Sequence, residues 1–158
     1  MNLNKHLMAL SLIFLATSIS LQANDIVTQE MKNGTENVIK SCEQSYQNTK
    51  ALRNKFDEVK KPGPFSSSKT KTAYKNLAIN KKAFDIQFAE FTKFTNEKIK
   101  LRTAKTVSKL RDDVAAYSSN CSRFSSGIAG FVEWATTGQG PAGFEKIYQG
   151  WQDEAIKG

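Results

Sequence analysis

From residue 107 onward, apolar side chains recur every three or four positions without a lapse. Val107, Leu110, Val114, Tyr117, Cys121, Phe124, Ile128 and Phe131 step three, four, three, four, three, four, three. That is a single seam along one side of an α-helix. A seam of this length predicts a helix that must find partners, because ordering its backbone costs about 1–2 kcal/mol per residue. Upstream, Phe84, Phe88, Phe91 and Phe94 are spaced four, three and three, and Tyr74 and Leu77 extend their face. Ile79 and Ile86 widen it. A phenylalanine ladder can line a ligand groove, but at helical spacing it reads first as core, here touching two neighbours. A third, weaker stripe runs through Val38, Cys42, Tyr46, Leu52, Phe56 and Val59, diluted by Ser45 and Thr49. Strand-like alternation is absent.

The breaks between these patterns are few. Neither proline nor glycine occurs between Pro64 and Gly127, which favours long helices. The first helix is expected from Asp25, a suitable N-cap, to about Lys60, with Asn33-Gly34 as a weak point. Residues 60–70, KKPGPFSSSKT, stop it, since Pro-Gly-Pro cannot continue a helix. Ser67 or Ser68 then caps a second helix over about 69–94. A single rod from 69 to 126 would be about 85 Å long, too long for this chain to cover. A reversal near residue 95 is therefore expected, with Thr95 or Asn96 capping the third helix. The last stretch, GFVEWATTGQGPAGFEKIYQGW, carries both tryptophans and five glycines. It reads as a loop over 136–140, then a short helix with Pro141 in its first turn. Phe144, Ile147, Tyr148, Trp151 and Ala155 share that helix's inner face. The expected fold is all-α: three long helices plus a short C-terminal helix, cross-linked by one disulfide.

The N-terminus changes where this bundle is expected to work. Lys5 and His6 precede a mostly apolar, uncharged run from Leu7 to Leu21, and Leu21-Gln22-Ala23 offers a small residue at a cleavage position. Residues 1–23 therefore read as a secretory signal peptide, although a cut after Ser18 is also compatible. As an uncleaved anchor the run falls short, since fifteen helical residues rise about 22 Å against a hydrocarbon core of about 30 Å. Residues 24–158 then form a single helical-bundle domain, periplasmic or secreted. In such a compartment Cys42 and Cys121 are expected to pair. The closed loop would be worth about 4 kcal/mol in the chain-entropy account.

Removal of the leader removes His6, the sole histidine. Ser-His and Cys-His nucleophile pairs and histidine metal or haem ligation are then excluded, and two cysteines do not make the usual structural zinc site. Carboxylate chemistry remains. Glu133 and Glu145 flank the glycine-rich loop, whereas the adjacent Asp112 and Asp113 point about 100° apart on a helix. No metal, cofactor or catalytic residue is expected.

Charge supplies the functional hint. Residues 50–111 hold 17 Lys and Arg against five Asp and Glu, while both flanks of the expected mature chain are mildly acidic. Lys98, Arg102, Lys105 and Lys109 recur at four, three and four, opposite the apolar seam. They are read as a partner-binding basic face, against the plainer reading of a solubilising surface. Glu133 and Trp134 form a possible small-ligand patch. The preferred function is an exported, non-enzymatic binding or accessory protein that docks an acidic protein or an anionic envelope component. A structural subunit or accessory of a secretion- or pilus-type assembly is the alternative, on fold-level analogy. A His-free carboxylate glycan hydrolase is a second alternative. Nucleic acid is the poorest fit, since no recognition motif is present and the phenylalanines are needed in the core.

Overall fold

The 107–131 seam lies within the longest element, a helix over Val107–Thr137, and the other elements fold against it. The computed structural model describes residues 26–158; the leader read in residues 1–23 and the cap read at Asp25 lie outside the described residues. In chain order the elements are α1 (Gln29–Ala51), a 3-10 helix (Leu52–Phe56), α2 (Ser68–Lys75), α3 (Leu77–Thr95), α4 (Lys98–Thr103), α5 (Val107–Thr137) and α6 (Glu145–Lys157). No strand occurs among the described residues, and the fold is all-α.

Helix α1 starts at a Thr28 cap, whose hydroxyl accepts the Met31 N–H at 3.3 Å. It passes through Asn33-Gly34 unbroken, because Thr35 just beyond is buried. Its inner face centres on Ile39 and Cys42; Val38 is only partly buried. Thr49, which weakened the stripe, is buried. Its hydroxyl donates to the Ser45 carbonyl at 2.7 Å, and it lies 3.2 Å from Ser125 Oγ of α5. The chain then tightens into the 3-10 helix and seats Phe56 edge-on against Phe84 at 5.9 Å.

Ser67 caps α2, accepting the Thr70 N–H at 3.1 Å. The helix expected over 69–94 is divided at Asn76, whose backbone leaves the helical region (φ −90°, ψ 8°). The division lets α2 bend over the C-terminal end of α5, where Lys69 packs on Gly138. The phenylalanine ladder of α3 is core: Phe84, Phe91 and Phe94 are buried and Phe88 partly so. Its rings stack on Tyr46 of α1 and on Phe124 and Tyr117 of α5, at 4.8, 5.3 and 4.9 Å.

The reversal expected near residue 95 lies instead at residues 104–106. Asn96 and Glu97 keep helical dihedrals, and their N–H groups bond to Lys93 and Phe94 carbonyls three residues back. The middle arm therefore continues into α4, drawn on by burial of Leu101. It turns where Ala104 becomes extended and Thr106 caps α5 by accepting the Lys109 N–H at 3.2 Å.

Cross-contacts set the topology. Tyr46 meets Phe88 while Arg53 meets Asp85, so α1 and α3 are antiparallel. Phe94 meets Tyr117 while Asn80 meets Ala135, so α3 and α5 are antiparallel too. The Cys42–Cys121 disulfide joins the parallel α1 and α5, with Cα atoms 5.8 Å apart. Among the described residues no helix is long and apolar enough to cross a membrane.

At its C-terminus α5 ends on Gly138, which adopts φ 74° and bonds to the Trp134 carbonyl. Pro141 lies outside α6 rather than in its first turn, because Gly143 at φ 85° separates them. Tyr148 and Ala155 of the expected inner face are buried and Trp151 is half-buried; Phe144 and Ile147 remain about half exposed.

Candidate docking surface

The bundle has two distinguishable ends. One comprises α4, the 104–106 turn, the start of α5 and the first half of α1. The other comprises the 57–67 loop, α2, the start of α3 and the end of α5. Lysines and arginines populate both, but they are compensated differently.

At the α4 end, Lys98 and Arg102 lie on α4, Lys105 in the turn and Lys109 on α5, so the four do not share one helix. The early reversal expected from the sequence would have aligned them; the later one separates them. Lys98 Nζ sits 2.7 Å from Glu43 of α1. Arg102 makes a two-pronged contact with Glu36 of α1, at 2.7 and 2.8 Å. The hydrogen bond from Arg102 holds the Glu36 carboxyl below the usual carboxylate range, and the same bond raises Arg102. Lys109 pairs with Asp113 one turn on, at 2.7 Å. Lys105 is exposed, and among the described residues it has no carboxylate partner. Behind these pairs Tyr117 is buried with its hydroxyl unpartnered; burial, then the nearby Glu43, pushes its pKa up. A cleft of about 500 Å³ opens beside Glu43, Tyr46 and Lys98, and another of about 390 Å³ beside Lys105, Lys109 and Asp113.

At the α2 end the balance is different. Residues 59–84 contain seven lysines and no carboxylate. The nearby acids are already engaged: Asp57 by Lys81 at 2.7 Å, Glu58 by Lys55 at 2.8 Å, and Asp85 by Arg53 at 2.6 Å. The Lys81 hydrogen bond lowers the Asp57 carboxyl. Lys60, Lys61, Lys69 and Lys75 are exposed and, among the described residues, have no ion-pair partner. Lys71 donates only to the Pro64 carbonyl, at 2.8 Å. These are the basic residues that the recurrence of Lys98 to Lys109 obscured. The signal for them was a run without acids, not a helical spacing.

Uncharged groups also hold the α2 end. Asn80 is fully buried; its amide donates to the Ala135 carbonyl at 3.3 Å, and its oxygen accepts from Gln152 at 2.6 Å. That carbonyl is among the last of α5, where intrahelical partners run out. Beside it, Phe131, Trp134, Tyr148 and Trp151 pack together with ring centroids 5.3–6.1 Å apart. Trp134 therefore lies in the last turn of α5 as a packed ring. Gly140 closes over its Cβ, leaving no room for a side chain there. Glu133 is exposed beside it, and after burial it is the second cause raising the Tyr148 pKa. Neither Glu133 nor Glu145 lines either cleft. Asp112 is exposed, and Asp113 is occupied by Lys109. Among the described residues no group of His, Cys, Asp and Glu could hold a metal ion.

Compared with protein-family models, curated proteins and solved structures, the chain matches none.

Proposed function

We propose that this chain is an exported, non-enzymatic helical bundle that docks an anionic partner through the basic surface at its α2 end. The observation that carries the reading is local charge: seven lysines and no carboxylate over residues 59–84. One of the seven, Lys81, takes Asp57, and the other nearby acids, Glu58 and Asp85, are paired with Lys55 and Arg53. Unbalanced lysines on a rigid support attract acidic surfaces and steer their approach. Lys98, Arg102 and Lys109 support the reading less well, since carboxylates already face them. The disulfide and the leader-like residues 1–23 favour an extracytoplasmic address, periplasmic or secreted.

The test uses the disulfide-bonded chain from residue 24, titrated with an acidic polypeptide and, separately, with vesicles containing anionic lipid. Binding to at least one of them should weaken steeply as salt rises. Absence of binding to both at low salt would overturn the proposal.

The assembly-subunit reading draws on one observation, the half-exposed Phe144 and Ile147 of α6. It expects self-association in sedimentation at high protein concentration, and a monomer there contradicts it.

A further inference from the structure

We propose that the partner of the α2 end is the surface of an anionic lipid bilayer, with the ring of Phe65 entering the interface. This rests on the docking reading above and names the partner's chemistry. Phe65 is the most exposed large apolar residue among the described ones, touching solvent over its whole surface. The backbone holds it there. Ser66 N–H bonds to the Gly63 carbonyl at 3.1 Å, closing a turn whose second residue is Pro64 and third is Phe65. Proline presets the dihedral that position needs. Lys71 then clamps the turn to α2 through the Pro64 carbonyl. The ring is thus presented at a fixed tip.

Charge surrounds that tip. Lys60 and Lys61 precede it; Lys69, Lys71 and Lys75 follow, the last two one helical turn apart. Polybasic segments are drawn to anionic leaflets, and lysine stems lie along the interface while their ammonium groups stay wet. A bilayer accepts a lone aromatic ring without a prepared pocket. An acidic protein would need a facing area of about 800 Å² with a cavity for the ring. A one-residue tip flanked by long mobile lysines suits the first better than the second. One ring plus a basic patch gives reversible, peripheral attachment, not anchoring.

The test is flotation of the disulfide-bonded chain with vesicles of phosphatidylcholine alone or mixed with phosphatidylglycerol. Phe65→Ser and Phe65→Trp are compared with wild type. Phe65 makes no buried contact, so circular dichroism and the melting midpoint should match across the three. Wild type should bind the mixed vesicles and not the neutral ones. Phe65→Ser should weaken binding about tenfold. Phe65→Trp should retain affinity, and its emission should shift to the blue on mixing. Binding to mixed vesicles that is indifferent to Phe65→Ser would remove the ring from the account and leave electrostatic docking standing. Salt-sensitive binding to an acidic polypeptide with none to mixed vesicles would overturn the lipid inference alone. Binding to neither would overturn both.

Discussion

The two ends of the bundle carry similar numbers of cations and do opposite things with them. At the α4 end, the carboxylates of Glu36 and Glu43 reach across from α1 and close on Arg102 and Lys98. At the α2 end, the few acids are paired with Arg53, Lys55 and Lys81, most lysines are left without one, and a buried amide and a cluster of rings add cohesion. One end turns much of its charge on itself; the other leaves most of it for a partner. A count of basic residues does not find a docking surface. What matters is which of them the fold has already satisfied.

The largest effect expected is on the staple beside the compensated end. Cys42 immediately precedes Glu43, and its bond to Cys121 closes a separation of 79 residues. Replacing both cysteines by alanine should cost about 2–5 kcal/mol in urea unfolding. Hydrogen exchange should rise first along α1 and α5. Next comes the uncharged fastening at the other end. Asn80→Ala leaves the Ala135 carbonyl and the Gln152 amide without their partner. It should cost about 1–3 kcal/mol, since a buried polar group then goes unsatisfied. Equal stability of Asn80→Ala and wild type would break the contrast in how the ends are held.

Smaller still is the effect of removing the compensating acids. Glu36→Gln with Glu43→Gln should leave the melting midpoint nearly unchanged, because exposed ion pairs contribute little. It should nevertheless raise affinity for anionic probes by freeing Arg102 and Lys98, making the two ends alike. In wild type, acid should free Arg102 by protonating Glu36. The Glu36 carboxyl is depressed in the folded state, so its stabilising contribution is present above the ordinary value of about 4.3. That contribution is lost as pH falls through the depressed value. Asp57 behaves likewise with Lys81. A midpoint flat from neutrality to about pH 4.3, with only a slight decline below it from these exposed pairs, is the expected profile.

Much of the bundle was legible in the apolar spacing, and its joints were not. The 107–131 seam announced α5 because every member fell on one period, and the pairing of Cys42 with Cys121 followed from two cysteines in a chain with a leader-like start. The break at Asn76 has no local marker; it exists because α2 must lie over the end of α5. The reversal at 104–106 carries no glycine or proline, and its cap, Thr106, resembled the earlier candidates Thr95 and Asn96. Segregated charge was visible as well. Its compensation was not, because the acids that face Lys98 and Arg102 lie 55 and 66 residues away in the chain. Phe65 stood outside every periodic stripe, so nothing in the spacing assigned it a face.

The central claim is that free positive charge, not total positive charge, defines the docking end. It is tested most directly by two variants of equal formal charge. One carries glutamine at Lys60, Lys61, Lys69 and Lys75; the other carries glutamine at Lys98, Arg102, Lys105 and Lys109. Affinity for vesicles containing anionic lipid is measured for both at low salt. The first variant should lose binding by a factor of about five for each lysine removed, while the second stays close to wild type. Equal losses in the two, or a larger loss in the second, would contradict the account.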